Sequence, residues 1–269
     1  MDKERLYQIT IVLLLGIIIV MGLIMAIKLP RRAPVPPAKK IARPAKPPKV
    51  PKGMIAIVID DIGYTNSNLS ILDGLSAPIT FSVLPNLRFS ESAAEELVRR
   101  GFEVILHLPM EPLENASLEQ DTILTSMDEP RIRSIIAEGL AQLPMARGVS
   151  NHMGSRATED TRTMEIVLKE MKNRNFYFLD SLVTARSVVS RVASQHNVRF
   201  IKRDVFLDNT LEAGFIRRQF ALLKQKAQRS GSAVGIGHDR TVTLEVLKEI
   251  VPELQREGFK LVFASDLAR

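Results

Sequence analysis

Three of the four histidines in this chain stand within two residues of the end of a short run that reads as a strand, and carboxylates stand in the same places. Asp60-Asp61 follows the run at 54–59 (MIAIVI), His107 follows 103–106 (EVIL), Asn151-His152 follows 148–150, and His238-Asp239 follows 233–236 (AVGI). Pro85-Asn86, Asp180-Ser181, Asp208-Asn209 and Ser265-Asp266 close the runs at 79–84, 176–179, 205–207 and 260–263. The chain has no cysteine, so thiolate chemistry and disulfides are excluded. Imidazole and carboxylate donors without thiolate suit Zn²⁺ or a similar divalent ion in an open catalytic site, which needs about three protein ligands. Adjacent acids such as Asp60 and Asp61 can divide labour, one holding the ion and the other taking a proton from the attacking water. Strands also end in polar residues simply because they emerge into solvent. That does not account for three of four scarce histidines at one edge. The fourth, His196, ends a helical stretch (SRVASQHN) and reads as a solvated surface residue.

The apolar runs are rich in β-branched and aromatic residues and read as buried strands. Helical patterns lie between them. Ser92 and Glu95 are spaced as a capping box, with Gly101 as the stop. Asp128 and Asp160 precede further amphipathic stretches, and 211–229 and 243–257 are longer ones, with Pro252 able to kink the last. Strand–helix alternation over this length implies a mainly parallel sheet, either a barrel or an open doubly wound sheet; periodicity does not choose between them. In both, the C-terminal strand ends form the face on which active sites are built.

Three segments precede and carry that pattern. Residues 1–28 contain an almost unbroken apolar run, Ile9 to Ile27, with Thr10 its one polar side chain. At 1.5 Å per residue it spans about 28 Å, enough for a bilayer core, and Lys28-Leu29-Pro30-Arg31-Arg32 after it favours an uncleaved anchor over a signal peptide. Residues 29–52 are rich in Pro, Ala and Lys and read as an extended linker, reaching up to about 70 Å. Residues 53–269 read as one folded domain. The formal net charge is +7, but residues 28–52 carry +9 and residues 1–27 sum to zero, which leaves −2 (7 minus 9) on 53–269. A slightly acidic domain lacks the basic footprint of a nucleic-acid enzyme, so no nucleic-acid partner is expected.

The ordered segments IVIDDIGY, TFSVLPN, GFEVILHLPMEP, GVSNHMGSRAT, FYFLDS, RDVFLDN and AVGIGHDR resemble the divergent polysaccharide deacetylase family over 54–269. The resemblance implies a distorted (β/α) barrel of 7–8 mainly parallel strands, and a metal-dependent hydrolase removing N-acetyl groups from an envelope carbohydrate. It implies Asp60 as general base, Asp61 and His107 as metal ligands and His238 as general acid. The wider deacetylase pattern has a second histidine four residues after the first; here that position is Glu111, and Pro109 and Pro112 exclude a regular helix between them. His152 is expected to supply the missing imidazole, with Glu111 the alternative. The Met153-Gly154 backbone is expected beside the oxyanion. Asp180 and Asp208 either orient histidines or merely end strands. The tryptophan-containing motif is absent, since the chain has no Trp. Two readings therefore stand side by side: a carbohydrate N-deacetylase, and a catalytically inactive envelope protein binding glycan or a protein partner. An acetylated glycan lies outside the cytoplasm, which places the domain on the extracytoplasmic (periplasmic) side of a single-pass membrane protein. Positive charge after the span argues the opposite orientation.

Overall fold

The computed structural model describes residues 2–28 and 51–269 and divides into an N-terminal unit and a domain. Most of the expected linker, 29–52, lies outside the described residues. In the N-terminal unit a single helix, α1 (Lys3–Lys28), is long and apolar enough to cross a membrane, or to serve as a signal sequence.

The domain alternates strand and helix. Its elements run β1 (Met54–Ile62), β2 (Thr80–Val83), α2 (Ser90–Arg99), β3 (Glu103–Met110), α3 (Glu129–Gln142), β4 (Gly148–Met153), α4 (Thr161–Asn173) and β5 (Tyr177–Asp180). They continue α5 (Val189–His196), β6 (Phe200–Lys202), β7 (Val205–Phe206), α6 (Ala213–Ser230), β8 (Ser232–His238), α7 (Thr241–Glu257), β9 (Lys260–Val262) and α8 (Ala264–Leu267). Every strand pairing is parallel, in the order β6-β5-β4-β3-β2-β1-β8-β7. β9 pairs with Met54–Ala56 of β1, and β2 with the later part of the same strand. The curled sheet is a distorted parallel barrel, as the family resemblance implies.

Parity divides each strand. Ile55, Ile57, Ile59, Val104, Leu106 and Phe178 face the helices, where most of the core lies. Ala56, Val58, Ile105, Tyr177, Leu179, Val234 and Ile236 face the interior and form a second cluster with Leu267 of α8. Gly148 is required there, since a Cβ would meet the Tyr177 ring at 2.5 Å. At the N-terminal pole, buried Glu103 accepts hydrogen bonds at Oε1 from Thr80 Oγ1 (2.8 Å), Tyr177 OH (3.0 Å) and the Ser265 backbone N–H (3.2 Å).

Several local expectations are corrected. Helix α2 begins at Ser90, so Ser92 is not a cap; its hydroxyl donates back to the Phe89 carbonyl. Ser265-Asp266 does not lie on the face formed by the other strand ends. β9 matches only the first three residues of β1, and its chain turns into α8 at the Glu103 pole, where Asp266 accepts the Phe263 N–H at 3.0 Å. Asp128 and Asp160 do cap α3 and α4, accepting from Arg131 N–H and Thr163 N–H.

Candidate metal-dependent active site

Consecutive residues on a pleated strand point to opposite faces, so Asp60 and Asp61 could not both reach one site on a regular β1. A bulge solves this. Ile59 pairs with Phe81 and Ile62 with Val83, so three steps on β1 match two on β2. Asp61 takes the extra position in a left-handed conformation, φ 65°. Ile62 then rejoins the helix-facing core, and both carboxylates face inward. Gly63 follows with φ 129°.

His107 lies two residues beyond Ile105 on the inward face of β3, and His152 two beyond Ser150 on β4. Asp61 Oδ1 stands 3.0 Å from His152 Nδ1 and 3.3 Å from His107 Nε2. One ligand atom from each of Asp61, His107 and His152 lies within 4.8 Å of the others. The His107 ring is held from behind, its Nδ1 2.8 Å from Ser150 Oγ, which pairs in turn with Ser82 Oγ. Fixing Nδ1 leaves Nε2 aimed at the acids, the usual arrangement of a supported metal ligand. Burial raises the Asp61 pKa, but hydrogen bonds and charge from the two histidines outweigh it and hold the carboxyl far below the ordinary carboxylate range.

Asp60 is 2% exposed, 3.7 Å from His107 Nε2, and its Oδ1 has no hydrogen-bond partner. Burial and the neighbouring Asp61 charge raise its pKa; His107, His238 and Ser82 oppose this without cancelling it. Opposite, Asp208 holds His238 twice, accepting the backbone N–H at 2.7 Å and pairing with Nδ1 at 2.8 Å. Thr243 Oγ1 donates to the same carboxylate. Burial lowers the His238 pKa, but Asp208, Asp61 and Asp60 outweigh it, so imidazolium is favoured above the ordinary value. Phe206 stacks on the His238 ring at 5.7 Å, and the Arg203 guanidinium lies over Phe206 at 3.8 Å.

Thus Asp60, Asp61, His107, His152 and His238 come together. Glu111 is turned away: its Oε2 accepts from the Thr125 N–H and Oγ1, and its Oε1 meets Arg156. Asp180 meets no histidine and instead accepts from Leu182 N–H and Ser187 Oγ. His196 closes α5, away from the cluster. Sequence reading missed Ser82 and Ser150; their signal is parity, because each lies on the inward register of its strand. A cavity of about 690 Å³ opens at the opposite pole, lined by Glu103, Arg147, Phe176 and Phe263 among others, and contains no histidine.

A curled parallel barrel with acids and imidazoles at the C-terminal ends of its strands defines the chain as a distorted (β/α)-barrel protein. The family model described as divergent polysaccharide deacetylase matches residues 57–268, and the chain belongs to that family. The uncharacterized protein YibQ of Escherichia coli K12 is 37% identical over 215 residues, covering 80% of this chain and 67% of YibQ. An uncharacterized protein of Haemophilus influenzae is 29% identical over 215 residues, covering 80% and 76%. Among solved structures, an uncharacterized protein from Agrobacterium tumefaciens C58 superposes with a TM-score of 0.78 at 22% identity, covering 81% of this chain and 90% of that one. A family 4 carbohydrate esterase from Streptomyces lividans, in complex with acetate, gives 0.50 at 16%, covering 79% and 93%. These two likenesses are likenesses of fold.

Proposed function

We propose that this chain is a metal-dependent hydrolase that removes N-acetyl groups from a carbohydrate of the cell envelope, with α1 as its membrane anchor and the domain on the extracytoplasmic side. The observation that carries the reading is the convergence of Asp61, His107 and His152 beside a buried, unpartnered Asp60 oxygen and across from an Asp208-held His238. Two imidazoles and one carboxylate fit a catalytic divalent ion of the Zn²⁺ type, with coordination positions left for other ligands. Such an ion supplies Lewis acidity at the acyl oxygen.

The chain's own residues do the rest. Asp60, its proton affinity raised by burial, takes a proton from water as the water oxygen bonds to the acetamide carbon. His238, kept protonated by Asp208, gives its proton to the nitrogen as the carbon–nitrogen bond breaks, so acetate and an amine leave. The main chain at Met153-Gly154, which follows His152 with positive φ at both residues, is the proposed source of N–H groups for the developing oxyanion.

The test uses the full chain in detergent. Elemental analysis is expected to give one divalent ion per chain, lost in His107→Ala and His152→Ala. Asp60→Asn is expected to keep the ion and lose acetate release from an N-acetylated glycan by roughly 10²-fold or more. A wild-type chain that holds the ion, binds glycan and releases no acetate would leave a glycan-binding protein as the better account.

A further inference from the structure

Among the described residues of the domain, one aromatic side chain is exposed: Tyr64, at 51%. It follows the ligand Asp61 by three residues, just beyond the bulge and Gly63. Its hydroxyl is hydrogen-bonded to Glu119 Oε1, from the loop that follows β3. The contact joins the loops after β1 and β3, the strands that carry Asp61 and His107. Among the described residues Glu119 Oε2 makes no hydrogen bond, and the neighbouring Leu118 is 44% exposed. Both loops leave C-terminal strand ends, on the face where the acids and histidines converge. Burial and Glu119 keep the phenol protonated, so it acts as a donor.

An aromatic ring left in water beside a reactive centre costs apolar exposure that folding could have removed; the chain buries or half-buries all eleven phenylalanines. A flat ring offers its face to the C–H surface of a pyranose. An adjacent carboxylate with a free oxygen accepts ring hydroxyls. The Glu119 carboxylate beside the ring disfavours an anionic ligand. We propose that Tyr64 and Glu119 form a sugar-binding subsite that stacks a neutral pyranose ring at the mouth of the site and so determines specificity. This deepens the deacetylase reading and rests on it for the neighbouring reaction.

The probe is the tetramer of N-acetylglucosamine, titrated calorimetrically into the full chain in detergent, with acetate release measured in parallel. Tyr64→Ala is expected to weaken binding roughly fivefold, the size of one aromatic stack, and to raise KM with kcat nearly unchanged. Tyr64→Phe is expected to stay within about twofold of wild type, because the ring remains. Glu119→Gln keeps an acceptor and is expected to bind well, and Glu119→Ala to bind weakly. Unchanged affinity in Tyr64→Ala overturns the subsite, as does a wild-type chain that binds no tetramer. Preference for the fully deacetylated tetramer overturns it in favour of an ammonium site. Tyr64-dependent binding without acetate release supports the subsite and counts against the hydrolase alone.

Discussion

At the scale of single residues, the site is built from pairs in which one partner sets the behaviour of the other. Ser150 and His107 form the first pair. Ser150→Ala removes the oxygen that fixes His107 Nδ1 and leaves Nε2 less constrained. Loss of such outer support costs about 10–100-fold in metal affinity, and that drop is expected by competition with a chelator, together with a lower melting temperature because buried Ser82 Oγ and His107 Nδ1 lose their partner. Asp208 and His238 form the second pair. Asp208 raises the proton affinity of His238, so its imidazolium persists to a pH above the ordinary histidine value of 6.5. Under the proposed mechanism the alkaline limb of kcat/KM belongs to His238. Asp208→Asn is expected to move that limb to lower pH; an unmoved limb would mean that another group supplies the leaving-group proton. The same pair bears on stability with opposite signs. The raised His238 pKa contributes stability at low pH that is lost as pH rises through it, and the depressed Asp208 pKa contributes stability at higher pH that is lost as pH falls through it.

At the scale of elements, the strands carry the chemistry inside their length. The β1 bulge is the sharpest case. Gly63→Ala meets both a φ of 129° and a Cβ 3.2 Å from Ser90 Oγ, so it strains the turn that lets Asp61 face inward. A cost of about 1–3 kcal/mol is expected, together with weaker metal binding, read by thermal melting and chelator competition. Strand bodies were legible in the sequence, but their ends were not. The readings 54–59, 103–106, 148–150 and 233–236 stop short of strands that run to Ile62, Met110, Met153 and His238. A polar residue looks like an exit into solvent, and Pro109 looks like a terminator. Yet proline only lacks a donor, and the interior of a barrel receives polar side chains where a site is built. The site histidines were legible because they are scarce. Their inward direction was legible too, through alternation from Ile105 to His107 and from Ile236 to His238. The doubled inward face at Asp60-Asp61 was not, because a bulge inserts one residue without a mark in the local sequence. The short β6 and the plug α8 were equally hard to see, being too brief for any periodicity to show.

At the scale of the whole molecule, the two poles of the barrel carry different burdens, and two substitutions separate them. At the N-terminal pole, Glu103 ties β2, β3, β5 and the start of α8 together through one carboxylate oxygen. Glu103→Ala strands the Thr80, Tyr177 and Ser265 donors, so a loss of about 2 kcal/mol is expected in denaturant melts, with metal content unaltered. At the C-terminal pole the sign reverses. Asp60 is buried beside Asp61 with an oxygen that nothing satisfies, and its pKa is raised above 3.8. An acid that holds its proton more tightly when folded stabilises the fold only while protonated. For the metal-free chain, the Asp60 contribution to stability is therefore expected to fall as pH rises from about 3.8 through its raised pKa, and to stay unfavourable at neutral pH. Asp60→Asn removes the buried charge, so the metal-free variant should melt higher than wild type at pH 7 and equal to it well below pH 4. That gain should come with the loss of acetate release. A variant no more stable than wild type at neutral pH would mean that the Asp60 carboxylate is satisfied within the protein, and its role as a poised base would lose its physical basis.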